Sequence, residues 1–354
     1  MVNGGSEIVA VNSGSTSTKI AWFSAEKEIS RESFCHDSEM LSRFPDVWSQ
    51  FDFRFGLLKT WICNARVKPQ AVVGIGGLLR PIPSGTFEVN QRMLEDARAN
   101  FQGSHASNLG CALAFELARP FQCPAYVVDP VSVDEFSPLA RYSGHPLIER
   151  KSLSHALNIH AMARRAAREL EKQYERSSFV VAHLGGGISI ASVIDGKISD
   201  VNDASSDGPF SPERTGGLPL QQFITLCFSG KLRENEIRSL VMGKGGLNAY
   251  LGTNSLEEVE LRILAGDEAA KLVVEAMGYQ IAKEIGAMAT VSSGRMDAIV
   301  LTGGMSSSER LVSQITKKIA HLGQVMVLPG EDEMFALAQG ALRVLRCEEQ
   351  CRIY

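Results

Sequence analysis

Short apolar strands alternating with amphipathic helices predict an α/β chain, and two internal echoes predict that it is built twice on one plan. The first echo pairs "AVNSGSTSTKIAW" near the start with "VVAHLGGGISIASVIDGKISD" deeper in the chain. Each runs from an apolar strand through a polar residue and a glycine loop into a second strand, so that Asn12 falls opposite His183 and Gly14 opposite Gly185. The second echo pairs "AVVGIGGLL", around Gly76 and Gly77, with "AIVLTGGMS", around Gly303 and Gly304. A length of 354 residues suits about two domains.

Taken in order, strands are expected over 8–11, 19–23, 71–74, 125–128, 179–182, 189–193, 298–301 and 324–327, with helices between them. In the opening loop Asn12, Ser13, Ser15, Thr16, Ser17 and Thr18 crowd around Gly14. Their backbone N–H groups and hydroxyls can face a phosphate while Lys19 supplies positive charge. The plainer alternative is a Ser/Thr-rich turn between two edge strands. Two glycine hairpins facing each other across a cleft would surround a nucleotide's phosphates. The single-loop signatures are missing, because GxxxxGK[ST] is absent and "GIGGLL" breaks the GxGxxG spacing. The helix expected from His155 carries apolar residues at helical spacing, and the one from Asp267 is apolar enough to lie against a sheet, with Gly278 and Gly286 allowing close packing. The run "EMFALAQGALRVLRCEE" has helical periodicity as well.

Composition narrows the partners. Charged residues at 21% and apolar ones at 44% provide a core and none of the signs of disorder. A net charge of −4 with no basic stripe argues against nucleic acid. The first apolar run follows Glu7 without a basic n-region, unlike a signal peptide, and no apolar stretch reaches membrane-spanning length, so no membrane partner is expected. Seven cysteines with no CxxC spacing fit a reducing cytoplasm.

The stretch "DVNDASSDGPFSPERTGGLP", residues 200–219, is long and irregular, as functional loops are. It displays Arg214 before two glycines. A guanidinium there can neutralise charge on a transferring phosphoryl group; the alternative is that Arg214 ties the loop to Asp200 or Asp207.

Eight segments, "VNSGSTSTK", "VGIGGLLRPIPSGTFEVN", "SHASNLG", "SHALN", "VAHLGGGIS", "DGPFSPERTGGLP", "LTGGM" and "PGEDEMFALAQGALRVL", occur in one order over nearly the whole length. In these the chain resembles the butyrate kinase branch of the acetokinase family, within the superfamily of actin, sugar kinases and heat-shock ATPases. The resemblance implies a duplicated ribonuclease-H-like, actin-like ATPase fold of two domains with an interdomain nucleotide cleft. We assign residues 1–150 plus 332–354 to the first domain and 151–331 to the second. It also implies transfer of the ATP γ-phosphoryl to a short-chain carboxylate such as butanoate, with ADP as product and Mg2+ as cofactor, and a homodimer or larger homo-oligomer.

Carried over by residue, the resemblance implies that Asn12, Ser15, Ser17 and Lys19 form the first phosphate loop. His183, Gly185, Gly186 and Gly187 form the second. Arg214 stabilises the transition state and Asp129 orients substrate or metal. A carboxylate nucleophile is already ionised at neutral pH, so Asp129 need not act as a base. Glu333, with Asn12, is the choice for Mg2+ contact, and Glu331 the second choice. Gly303 and Gly304 let the backbone lie against the nucleotide, and His105 and His155 match active-site histidines. One departure is Ile75 in "VGIGGLL", where the family pattern has a substrate-clamping arginine. Arg80, five residues on, could replace it beside Gly76 and Gly77, with Ile75, Leu78, Leu79 and Phe87 as apolar wall.

Three readings stand at this point: a carboxylate kinase, a sugar or polyol kinase of the same fold, and a nucleotide-binding paralogue with weak or no activity because of Ile75. Acyl phosphate formation separates them.

Overall fold

The computed structural model describes residues 6–330 and 332–354, without the side chain of Ser38; Glu331 lies outside the described residues. Two compact units emerge, Met1–Asp134 with Asp332–Tyr354, and Glu135–Glu331. Residues 135–150, expected in the first domain, pack with the second. There Ser137 N–H donates to Ser199 O at 2.9 Å, and Arg150 reaches Val201 O at 3.0 Å and the Asp200 carboxylate at 2.9 Å.

The first unit holds β1 (Glu7–Ser13), β2 (Ser17–Ser24), β3 (Lys27–Cys35), β4 (Ala71–Ile75), β5 (Thr86–Glu88) and β6 (Ala125–Val128). The second holds β7 (Ser178–Leu184), β8 (Ile188–Ile194), β9 (Lys197–Val201), β10 (Ala298–Thr302) and β11 (Val325–Val327), and β12 (Arg352–Ile353) returns to the first. The sheet orders are β12-β5-β6-β4-β1-β2-β3 and β11-β10-β7-β8-β9. In both, the first three strands meander antiparallel, and on the other side of the first strand two more add in parallel, β4 and β6 in the first sheet and β10 and β11 in the second; β5 then pairs antiparallel with β6.

The duplication extends to single hydrogen bonds. Ile8 pairs with Ala71 as Phe179 pairs with Ala298. A register shift falls between Trp22 and Phe23 and again between Ser192 and Val193. Ala25 and Asp195 both turn with positive φ, at 53° and 50°, and their N–H groups donate to Ser6 O and Ser177 O at 2.8 and 2.9 Å.

Strands β1, β4, β7 and β10 are apolar along nearly their whole length because both faces are covered. In the first unit Val9, Val11 and Val72 join Leu58, Leu109 and Leu113 in one core. Helix Gly110–Ala118 presses so close to β4 that a Cβ on Gly74 would lie 2.2 Å from Gly110 O. Helix Glu333–Leu345 packs on β1, β4 and β6, and Gly340 leaves room for Val128, 2.5 Å from where a Cβ would stand. In the second unit Val180, Ala182, Ile190 and Leu301 pack against Val274, Met277 and Ile281 of helix Glu268–Val291 and Leu311 of helix Glu309–Ile319. Helix Ala156–Glu169 packs on β7 and β10. Among the described residues no helix is long and apolar enough to cross a membrane, and all seven cysteines are free.

Candidate active site

The first loop is a tight hairpin, with Asn12 paired to Lys19 and Ser13 to Thr18. Lys19 therefore lies within β2 instead of ending the loop. Since β1 is flanked by β4 and β2 by β3, neither is an edge strand, so the plainer reading of the loop does not describe it. Directly paired residues of an antiparallel pair share a face, which puts the Asn12 and Lys19 side chains together. Gly14 N–H closes the turn on Ser17 O at 2.9 Å, leaving Ser15 and Thr16 exposed. Ser15 Oγ lies 3.2 Å from His105 Nε2, and Ser107 Oγ holds His105 Nδ1 at 2.8 Å. His105 is thus a hydrogen-bonded support of the loop. Asn12 Nδ2 donates to Glu333 Oε2 at 2.5 Å, bringing together the two residues expected at the metal.

Past the end of β6, Asp129 is buried and adopts φ +38°, a left-handed conformation that costs a non-glycine residue of order 1 kcal/mol or more and clusters at functional sites. Its Oδ1 accepts from Gly85 N–H at 2.6 Å, and its own N–H donates to Gly85 O at 3.1 Å. Ile75 ends β4 opposite Val128 in the parallel register, one residue before Asp129. Gly76 and Gly77 have a packing reason: added Cβ atoms would lie 2.2 Å from Pro130 Cβ and 2.3 Å from Asn108 Oδ1. Arg80 is committed elsewhere. Its Nε and Nη2 bind Asp96 at 2.5 and 2.9 Å while its guanidinium lies 4.4 Å from the Phe101 ring centroid.

In the second unit His183 sits near the end of β7 and Gly185 N–H donates to Gly187 O at 3.2 Å, closing the second loop. His183 and His155 stack with centroids 4.0 Å apart and planes 16° from parallel. Asn158 Oδ1 fixes His183 Nδ1 at 2.9 Å, and Ser189 Oγ fixes His155 Nδ1 at 2.9 Å. Packing around the His155 ring, then the neighbouring His183 and Arg214, holds its pKa well below the usual imidazole value, so it is neutral at pH 7.

Residues 202–219 form the irregular loop that the sequence suggests. Arg214 Nη1 donates to Ala204 O at 3.1 Å, and its buried Nε has no hydrogen-bond partner among the described residues. Asp200 is paired with Arg150, so it is not the anchor of Arg214. The guanidinium lies against the second loop, where a Cβ on Gly187 would stand 2.4 Å from Nη1. Ser211 Oγ donates to Gly186 O at 2.5 Å, tying the same two loops together. Gly303 has φ +88°, with an added Cβ 2.5 Å from Leu184 O, whereas a Cβ on Gly304 would meet open space.

Sequence reasoning passed over Arg54, Asn158, Ser189 and Ser211. Asn158, Ser189 and Ser211 lie within "SHALN", "VAHLGGGIS" and "DGPFSPERTGGLP" as side chains overshadowed by the histidines, glycines and arginine beside them, whereas Arg54 comes from a segment with no chemical signature.

The acetokinase family matches residues 143–337. The chain is 47% identical over 352 residues to butyrate kinase 2 of Clostridium acetobutylicum, covering 98% of this chain and 99% of that one. It is 48% identical over 351 residues to probable butyrate kinase 2 of Caldanaerobacter subterraneus subsp. tengcongensis, again covering 98% and 99%. Among solved structures it resembles Porphyromonas gingivalis acetate kinase with a TM-score of 0.80 at 18% identity, covering 96% of this chain and 100% of that one. For a propionate kinase from Francisella tularensis subsp. tularensis the TM-score is 0.75 at 20% identity, covering 95% and 98%. These likenesses identify the duplicated α/β architecture as the actin-like ATPase fold, and the chain belongs to the acetokinase family.

Proposed function

We infer that this protein is a short-chain carboxylate kinase that converts ATP and butanoate into ADP and butanoyl phosphate, reversibly. A carboxylate oxygen attacks the γ-phosphorus as the bond to the β–γ bridging oxygen breaks, and ADP leaves with that electron pair. The acid arrives ionised, so no base is required. The observation that carries this reading is the Arg214 guanidinium lodged against Gly187 in a glycine phosphate loop and fixed there through Nη1 by Ala204 O. That is a preorganised cation for charge on the transferring group's oxygens. Butanoate is favoured over other acids by the full-length likeness to butyrate kinases.

Ser15, Ser17 and Lys19 are assigned to phosphate contact, with Ser15 braced by His105. His183, Gly185, Gly186 and Gly187 form the second contact, with His183 braced by Asn158 and stacked on His155. Gly304, open where a side chain would stand, is assigned to the nucleotide along with Gly303. Asp129 orients the acid or the metal. The contacting Asn12 carboxamide and Glu333 carboxylate offer the oxygen donors Mg2+ prefers. No group of three or more His, Cys, Asp or Glu among the described residues could hold a metal, which suits an ion carried largely by water and nucleotide phosphates. Bound there, Mg2+ would supply charge neutralisation on the phosphates. Arg80, held by Asp96, is withdrawn as the substrate clamp.

Homo-oligomerisation is proposed through helix Leu220–Cys227, where Leu220, Ile224 and the following Phe228 recur every four residues and are 73%, 49% and 87% exposed.

The test is hydroxylamine trapping of acyl phosphate from ATP, Mg2+ and C2 to C6 acids, with Ile75→Arg alongside. Butanoyl hydroxamate is expected from the wild type and more of it from the variant at low acid concentration. Failure with every acid sinks the assignment, and no gain in Ile75→Arg counts against a missing clamp.

A further inference from the structure

Behind the first phosphate loop lies a positive charge with no partner of opposite sign among the described residues. Arg54, in the first turn of helix Phe51–Ala65, is wholly buried. Its Nη1 donates to Gly14 O at 3.0 Å, Ser17 O at 2.9 Å and Thr18 Oγ1 at 2.9 Å, and its Nη2 reaches Ser15 O at 3.4 Å. Nε and Nη2 both donate to Gln50 Oε1, at 3.1 and 2.9 Å. Every one of these acceptors is neutral, and among the described residues Arg54 makes no ion pair. The nearby His36 ring, 2.7 Å from Thr18 Oγ1, adds no anion, and burial and then Arg54 itself push its pKa down.

A guanidinium stays protonated in proteins, so this site holds a fixed buried cation. Burying an unpaired charge is costly, and packing needs alone are met more cheaply by an apolar or amide side chain. Carbonyls drawn inward to one cation leave the alternate faces of the same peptides, their N–H groups, turned the other way. That is the orientation an anion-binding loop requires.

We propose that Arg54 is a positioning residue whose counter-charge is a phosphate of the bound nucleotide, held on the outer side of loop 14–17. It rests on the phosphate-loop assignment above and adds the source of that loop's charge. Arg54 touches no substrate. It gathers the loop carbonyls beneath and supplies positive potential through the loop.

Arg54→Met would remove a donor from each of three loop carbonyls, leaving Ser17 O with Gly14 N–H, and confound shape with charge. Gln50→Glu is the cleaner perturbation, since it keeps every donor of Arg54 in place and gives the guanidinium a carboxylate of nearly the same shape. Calorimetric titration of the full chain with ATP, ADP and adenosine, together with melting in the absence of nucleotide, reads the result. The expected outcome is a loss of about tenfold or more in ATP and ADP affinity, with adenosine affinity unchanged and melting temperature equal to or above wild type. Arg54→Lys, which keeps the charge, should bind ATP more tightly than Gln50→Glu. Unchanged ATP affinity in Gln50→Glu overturns the proposal. So does a loss of affinity accompanied by a lowered melting temperature, which would mark a packing role. A wild type that binds ATP yet forms no acyl phosphate would defeat the kinase assignment and leave this proposal standing on its own titrations.

Discussion

Gly187→Ala probes the contact between the second loop and the Arg214 guanidinium. The new Cβ would lie 2.4 Å from Arg214 Nη1 and 2.6 Å from Cζ, while at Gly186 the nearest atom to a new Cβ is Glu213 Oε1, already at an ordinary 3.4 Å. At position 187 the guanidinium must therefore retreat by about 1 Å, a misplacement that can cost on the order of 100-fold when it moves a catalytic group. Losing one preorganised donor to the transferring group gives the same scale, about 2.7 to 4 kcal/mol in barrier. Because the clash is with the end of a flexible side chain and Gly187 does not need positive φ, the backbone has no reason to move. Gly187 is itself buried, so the added methyl should also cost about 1 to 3 kcal/mol of stability through overpacking. The assay is kcat for hydroxylamine-trapped butanoyl phosphate, paired with thermal melting, for Gly187→Ala and Gly186→Ala side by side. A fall of about 100-fold in kcat for the first alone, measured well below the melting temperature of either variant, is expected. Equal damage in both variants, or a Gly187→Ala enzyme as fast as wild type, would refute the role given to Arg214.

Two further outcomes follow from geometry. His155 has a folded pKa depressed below the ordinary 6.5, so the unfolded state binds the extra proton first. Its stabilising contribution is complete above pH 6.5 and is lost as pH falls toward the folded value. Melting temperature should drop as pH falls from 7 to 5, with His36 adding a slope of the same sign, and His155→Asn should flatten the curve; a parallel curve counts against the shift. If the apolar row on helix Leu220–Cys227 is a subunit contact, Phe228→Glu should sediment as a smaller species than wild type. An unchanged sedimentation coefficient assigns assembly to another surface.

The hairpins that carry the loops were legible because β1 and β7 are buried on both faces and read as unbroken apolar runs before a glycine loop. Strand β3 left no such trace, since "KEISRESFC" lies at the sheet edge, almost wholly exposed, and looks like a polar linker. β5 and β12 are three and two residues long, too short for periodicity to register. At the site, residues with reactive groups in a glycine setting, such as Asn12 and Arg214, stood out. Arg54 did not, because one arginine within "FDFRFGLLKTWICNA" looks like the solvent face of an amphipathic helix until the fold turns it inward onto Gly14 and Ser17. Arg80 misled in the opposite sense: proximity in sequence suggested a clamp, and the distant Asp96 and Phe101 claimed it.

The last helix, Glu333–Leu345, covers β1, β4 and β6, strands laid down more than two hundred residues earlier, and Tyr354 Oη bonds to Asp96. During synthesis the amino-terminal sheet therefore emerges first yet stays open on one side, whereas the second unit, made of uninterrupted chain, has all its own strands available sooner. The sheet whose strands come earlier in the chain is thus covered by a helix that follows the whole second unit, and its core is complete only once residues 333–345 are in place.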